Sequence, residues 1–304
     1  MCADMIIDKR KRKIYALLFM GPAILVLVLF LVVPICYGFG ISFMDFNLAK
    51  PASARTFIGL NNYKAILNNS HFWNSIKFTL GFMIVGVIGT VVLAMLLALA
   101  LNSSMVKGLI GRFTKSIFIL PMMLCPVVVA NIWYIIFAPN YGLINSTLSR
   151  LDMNTISFLG DTLWARLALI IVEFWWGTPY IMIILLAALT TVPAKLYEAA
   201  QLDGAGKVQC FFYITLPSIR NFIILVVAIR LMDTLRMFDI SFTLTEGGPQ
   251  KTTQTISYFI YERGFEYINT GQASAASMFL FLTIAIITFV FMKISIKSTS
   301  ELTE

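Results

Sequence analysis

Charge is the scarcest commodity in this sequence. Asp, Glu, Lys and Arg make up 12% of its 304 residues and hydrophobic residues 59%, whereas soluble domains carry about 25% charged residues. That scarcity excludes an ordinary soluble domain and a disordered chain. The net charge of +8 is read as topology charge rather than a nucleic-acid footprint. Histidine occurs once, as His71, with no Cys or His partner near it in sequence, so no metal site is expected. Cys2, Cys36, Cys125 and Cys210 are too scattered for a disulfide framework or a zinc ribbon and read as packing residues. H-E-x-x-H and G-x-S-x-G strings are missing, as is a convincing nucleophile–base pair, so no catalytic residue is assigned and an enzyme is disfavoured. Internal repeats and low-complexity linkers are missing too.

What the chain does have is long apolar runs. Ile14 to Met44, Phe78 to Val106, Ser116 to Ser149 and Tyr267 to Met292 each exceed the roughly 20 residues a helix needs to cross a bilayer. Leu167 to Ala194, broken only by Glu173 among acidic and basic residues, and Asn221 to Leu244 add two more spans. None shows the alternation of barrel strands, and lipid demands internally satisfied backbones, so the spans are expected to be helices. Lys9, Arg10, Lys11, Arg12 and Lys13 directly precede the first span and place the N-terminus in the cytoplasm. Six spans return the C-terminus to the same side, with 13 Lys and Arg on cytoplasmic segments against 8 on or beside external ones. A cleavable leader has an apolar core of about 7 to 15 residues, shorter than the run from Ile14.

The expected class is therefore an all-α polytopic membrane protein: a basic cytoplasmic N-terminus (1–13), a six-span domain (14–296) and a cytoplasmic tail (297–304). Between Asp45 and Asn74, turn residues flank a short helix around Tyr63 to Leu67. Pro121, Pro126 and Pro139 predict a kinked third span, followed by a turn at Asn140 to Gly142 and a mixed outer loop from Asn145 to Asp161. The last outer loop, Thr245 to Gln272, opens on the break Glu246-Gly-Gly-Pro249.

The segment 193–217, between spans four and five, is too polar for lipid yet patterned like structure. Pro193 fits a helix start, Ala194 to Leu202 are good helix formers, and Asp203-Gly204 offers a stop with a left-handed cap. A second short helix is expected toward Pro217. The small residues Ala199, Ala200, Gly204 and Ala205 would let a partner backbone approach, and Glu198 can accept a charge-assisted hydrogen bond. A docking helix and a plain interfacial hairpin both fit these residues. Gly204-Ala-Gly-Lys207 is no phosphate loop, since Gln201 and Val208 stand where the first glycine and the hydroxyl residue belong.

Glu198-Ala199-Ala200, Asp203-Gly204-Ala205, Phe211, Ile214, Leu216 and Pro217 together resemble the loop motif of permease subunits in binding-protein-dependent ABC importers. The D-G-A and I-x-L-P elements resemble its carbohydrate-uptake branch, which includes maltose and glycerol-3-phosphate permeases. Met237-Phe-Asp239 and Leu244-Thr-Glu-Gly-Gly-Pro249 extend the likeness over nearly the whole chain. Asn221 departs from it, where relatives often carry proline. The resemblance implies a six-helix permease bundle in a bacterial cytoplasmic membrane, with 193–217 as the coupling-helix loop inserted into an ATPase subunit. It further implies a second, non-identical permease subunit, a homodimeric ATP-binding subunit holding ATP and Mg²⁺, and an extracellular solute-binding protein. No cofactor is expected in this chain, and no nucleic acid.

Charges within spans cost at least roughly 2.5 to 3.5 kcal/mol near the bilayer centre, so each needs a reason. Glu173, Trp176, Gly177 and Tyr180 fall at i, i+3, i+4 and i+7 of span four. Arg230, Asp233, Thr234 and Met237 repeat that spacing in span five, so each set shares a helix face. Carboxylate and guanidinium groups can hydrogen-bond sugar hydroxyls, and aromatic faces suit the C–H side of a pyranose. Arg230 and Asp233 could equally neutralise one another while Glu173 pairs with a neighbouring helix. In maltose-type permeases the sugar contacts lie at similar separations from the loop glutamate, so the resemblance implies that Glu173, Gly177, Tyr180, Arg230, Asp233, Thr234 and Met237 line a substrate pathway, and Trp176 joins these candidates by its place on the stripe. Trp133, Trp175 and Arg236 are weaker candidates. An importer for another solute, such as a polyol phosphate, or an ATP-independent channel remain the alternatives.

Overall fold

The computed structural model describes residues 9–51, 55–102 and 108–300. Cys2 and the rest of 1–8, residues 103–107 where span two was expected to end, and 301–304 of the tail lie outside the described residues. The chain is helical: α1 (Lys9–Leu27), α2 (Val33–Ile41), α3 (Asn61–Leu67), α4 (Ser70–Asn102), α5 (Gly108–Ile119), α6 (Pro126–Phe137), α7 (Leu143–Arg150), α8 (Thr162–Thr190), α9 (Ala194–Leu202), α10 (Lys207–Cys210), α11 (Leu216–Ser218), α12 (Arg220–Leu235), α13 (Asp239–Thr245), α14 (Ile256–Tyr261) and α15 (Thr270–Ser300). Leu18–Ile41, Ser70–Asn102, Thr162–Thr190 and Thr270–Lys293 are each long and apolar enough to span a bilayer. Two bent pairs, Phe113–Met123 with Pro126–Phe137 at 100° and Lys207–Ser218 with Arg220–Leu235 at 70°, raise the count to six if each is one broken span.

Two compact units emerge. In the first, which joins the chain up to Asn68 to Ile260–Phe279, a two-residue hairpin pairs β1 (Met44–Asp45) with β2 (Thr56–Phe57). Buried Asn62 at the start of α3 donates to the carbonyls of Ser42 at 2.9 Å and Met44 at 2.8 Å, which satisfies backbone that the hairpin leaves open. A side chain at Gly271 would meet Asn62 Nδ2 at 2.8 Å, so α15 enters this knot only through glycine.

The second unit comprises Asn69–Phe259 and the chain from Leu280. Asp161 starts α8 by accepting from the Leu163 and Trp164 amides at 2.9 and 3.2 Å. Helices α4 and α8 pack closely because glycines interrupt α4: the Phe174 ring lies over Gly89, and Gly86 faces Glu173 and Thr234. Two apolar clusters result. One joins Ala94, Ala98 and Leu101 to Ile181, Leu185, Ala188, Ile219 and Val226. The other joins Phe82 to Val129, Phe137, Leu169, Val172, Ile240 and Leu244. Along α8, Glu173 and Gly177 lie between them.

The third apolar run bends by 100°, a sharper turn than an ordinary proline kink. It turns through a 3₁₀ stretch, Leu120–Met123, into α6, because Pro121 and Pro126 both remove amide donors there. Span five likewise ends at Leu235 rather than Leu244, with α13 as a separate helix. The expected outer loops are more ordered than their composition implied. Residues 143–150 are helical, and buried Asn145 clamps the following loop through both the amide and the carbonyl of Ile156 at 2.9 Å each. Thr253 and Thr255 are buried, with the Thr253 carbonyl accepting from Ser241 at 2.7 Å and the Ile256 amide donating to Thr79 at 2.9 Å. Cys210 is buried, but Cys36 and Cys125 are exposed on the isolated chain rather than packed inside it.

Candidate functional site

The two polar stripes meet. Glu173 of α8 and Arg230 of α12 are each 3% exposed and form an ion pair through Oε1 and Nη2. Arg230 therefore pairs across helices, not with Asp233, which instead binds Arg236 at 2.8 Å one turn on. Gly177, one turn beyond Glu173, makes room for the guanidinium: a Cβ there would lie 2.7 Å from Arg230 Nη2. Thr234, also buried, donates to the Arg230 carbonyl at 2.7 Å. Among the described residues Arg230 Nε has no hydrogen-bond partner.

A cavity of about 340 Å³ opens beside this pair. Glu173, Trp176, Arg230, Asp233, Thr234 and Met237 line it, so six of the eight pathway candidates converge. Gly177 backs Arg230 without lining the space, and Tyr180 lies outside the lining and is 41% exposed. Trp175 stacks edge-on against Trp133 with centroids 5.8 Å apart, away from the lining, whereas Arg236 belongs to it. Pro126, Phe238, Asp239 and Ile240 complete the wall, residues that helical spacing could not nominate because they sit at the two helix breaks. Trp176 Nε1 donates to the Leu124 carbonyl at 3.1 Å, using an acceptor that the break before α6 frees. Among the described residues no three His, Cys, Asp or Glu side chains gather as metal ligands, and His71 is exposed.

The loop has the capped hairpin form its composition implied. Gly204 sits at φ +79°, and the amides of Gly204 and Ala205 reach back to the carbonyls of Gln201 at 3.1 Å and Ala200 at 2.9 Å, a Schellman closure of α9. Tyr197 and Thr215 join their hydroxyls at 2.8 Å and lock α9 onto the returning segment. Glu198, Ala199, Asp203, Gly204 and Pro217 are exposed, while Ala200, Ala205, Ile214 and Leu216 are half-buried. Ala200, Asp203, Gly204, Ala205 and Ile214 share the rim of a cleft of about 360 Å³ with Tyr213. Leu202, Val208 and Tyr213 stand out into solvent beside it.

A family profile of binding-protein-dependent transport system inner membrane components matches residues 90–300. The chain belongs to this family. It is 34% identical over 280 residues to the trehalose/maltose transport system permease protein MalF of Thermococcus litoralis, covering 90% of each chain. Its fold matches a crystal structure of a bacterial ABC transporter that imports the acidic polysaccharide alginate, with a TM-score of 0.81, 27% identity and coverage of 95% of this chain and 96% of that one. A second structure of an alginate transporter, in complex with its alginate pentasaccharide-bound periplasmic protein, matches at a TM-score of 0.79 and 26% identity over 97% and 96%. The family member described here is thus a multi-pass inner-membrane permease, with four full-length candidate spans and six if each bent pair is one span.

Proposed function

We propose that the chain is one of two non-identical permease subunits of an ATP-driven importer that moves a sugar or oligosaccharide across the bacterial cytoplasmic membrane by alternating access. The observation that carries this reading is the cavity beside Glu173 and Arg230, held between two apolar clusters and walled by Trp176, Met237 and Asp233. Its volume falls within the roughly 300–1,000 Å³ of small-molecule sites. Aromatic and charge-assisted polar groups on one wall suit a polyhydroxylated ring. The unmatched Arg230 Nε–H is a donor that a solute oxygen or a water would satisfy. Relatives named for trehalose and maltose transport support the same class. The lining charges favour a neutral solute over a polyol phosphate: Glu173 offsets Arg230, Asp233 offsets Arg236, and Asp239 is left in excess.

In this reading the N- and C-termini are cytoplasmic and the domain bounds are 1–13, 14–296 and 297–304. Glu198, Ala199, Ala200, Asp203, Gly204, Ala205, Ile214, Leu216 and Pro217 dock into a homodimeric ATPase subunit that holds ATP and Mg²⁺. An extracellular solute-binding protein delivers the sugar, as the alginate transporter solved with its periplasmic protein suggests by analogy. Closure of the ATPases pulls the loop, and α8 and α12 rock about the cavity. Uptake of labelled trehalose, maltose and glycerol phosphate by proteoliposomes of the reconstituted importer tests this. ATP-dependent sugar accumulation is expected; ATP-independent flux would favour a channel, and glycerol phosphate as the sole cargo would remove the sugar assignment.

A further inference from the structure

A second cleft, of about 450 Å³, lies on the same unit away from the cavity. Three cations reach it from three separate parts of the chain: Lys77 from α4, Arg166 from the first turns of α8 and Lys251 from the segment after α13. Among the described residues no acidic side chain lines it. Arg166 is fixed there by donating Nε to the Thr252 carbonyl at 3.3 Å and by lying 5.8 Å from the Phe78 ring centroid. Its terminal nitrogens keep the planar fork that suits phosphate. Gln250 and Lys251 adopt φ +52° and +61° in succession, a conformation that side-chain-bearing residues seldom take.

Below the cations the lining changes character. Gly81 and Val85 follow Lys77 at i+4 and i+8 on α4, and Ile170 follows Arg166 at i+4 on α8, so the apolar wall reaches about 12 Å below Lys77 along the paired spans. That is most of the roughly 15 Å depth of one leaflet's hydrocarbon. Gly81 leaves the groove open, since a Cβ there would meet nothing within 4 Å. Positive charge at the rim, an apolar channel beneath it and a position at the end of two membrane helices together define one kind of occupant.

We propose that this cleft is a binding site for an anionic phospholipid, with the headgroup phosphate among Lys77, Arg166 and Lys251 and an acyl chain along Gly81, Val85 and Ile170. The sugar reading is not needed for it. Native mass spectrometry of the full chain, with whatever subunits copurify, compares retention of dioleoyl phosphatidylglycerol and dioleoyl phosphatidylcholine, whose acyl chains match. Preferential retention of phosphatidylglycerol is expected, falling with added salt and by roughly five-fold for each charge removed in K77Q, R166Q and K251Q. Gly81→Phe should lower it too, with all three cations intact. Equal retention of the two lipids, or a preference that survives the triple variant, would overturn the site. Displacement by free glycerol phosphate as effective as by the diacyl lipid, or full retention in Gly81→Phe, would mark a soluble-anion site and overturn the lipid assignment. All four residues face the cleft rather than the packed core, and an unchanged unfolding temperature verifies that the variants fold.

Discussion

Around Glu173 the chain buries charge, and in the loop of residues 193–217 it exposes apolar side chains. Glu173 and Arg230 are each almost wholly withdrawn, whereas Leu202 and Tyr213 are 90% and 81% exposed. Both arrangements run against the usual partition of residues, and the direction differs because the missing neighbour differs. The buried pair is matched within the chain, so its cost is met by mutual attraction and by the glycine that admits it. Leu202, Val208 and Tyr213 of the loop are left exposed by the described residues, and an exposed apolar rim around a capped helix is what a protein partner would cover. One region pairs its charges beside a space; the other leaves apolar side chains uncovered.

The contrast can be broken most forcefully at the buried pair. Arg230→Ala leaves Glu173 as an uncompensated buried charge and is expected to cost about 3–5 kcal/mol, read as a lowered unfolding temperature of the purified chain. Glu173→Gln combined with Arg230→Met should recover much of that loss, and a double variant no more stable than the single one would count against the pairing. Gly177→Val is next. Its side chain would crowd a guanidinium already held by Glu173, with an overpacking cost of about 1–3 kcal/mol and impaired uptake of the transported sugar in proteoliposomes.

At the loop the signature should invert. Gly204→Val forces a β-branched residue to φ +79° and is expected to cost about 1–2 kcal/mol locally, while Glu198→Ala should leave the unfolding temperature unchanged. Both should weaken copurification of the ATPase subunit and uncouple ATP hydrolysis from uptake; intact coupling in both would remove the docking role. A small effect on stability is expected at Asp233→Asn. Its ion pair with Arg236 is substantially exposed and such pairs contribute about 0–1 kcal/mol. Uptake should nevertheless fall, because the carboxylate lines the cavity. Unchanged transport would take Asp233 out of the pathway.

Much of this fold is legible in the sequence. Length and hydropathy alone identify α4, α8 and the main part of α15, since spanning a bilayer imposes one length on any sequence. The helix at Asn61–Leu67 and the Gly204 cap follow from local turn chemistry. Proline marks where the third run breaks, but its 100° turn depends on where α6 finds a surface to pack against, which Pro121 and Pro126 do not encode. Span five gave no comparable warning: no proline or glycine occurs between Arg220 and Thr245, so the break after Leu235 was missed, and with it Phe238 and Asp239 as cavity residues. Helical spacing placed Glu173 and Arg230 on inward faces but could not say which partner each would take. That choice depends on the relative depth of two helices, set by the close approach of Gly86 and Gly89 to residues of α8 and α12.

The hydrogen bond from Trp176 to the Leu124 carbonyl has a mechanical meaning. It is a tether between the broken third run and the wall of the cavity, about 1 kcal/mol strong. Any swing of α6 must either carry the indole along, reshaping the space beside Arg230, or snap a bond that thermal energy alone can open. The bundle thus has a soft latch where a stiff one would freeze it.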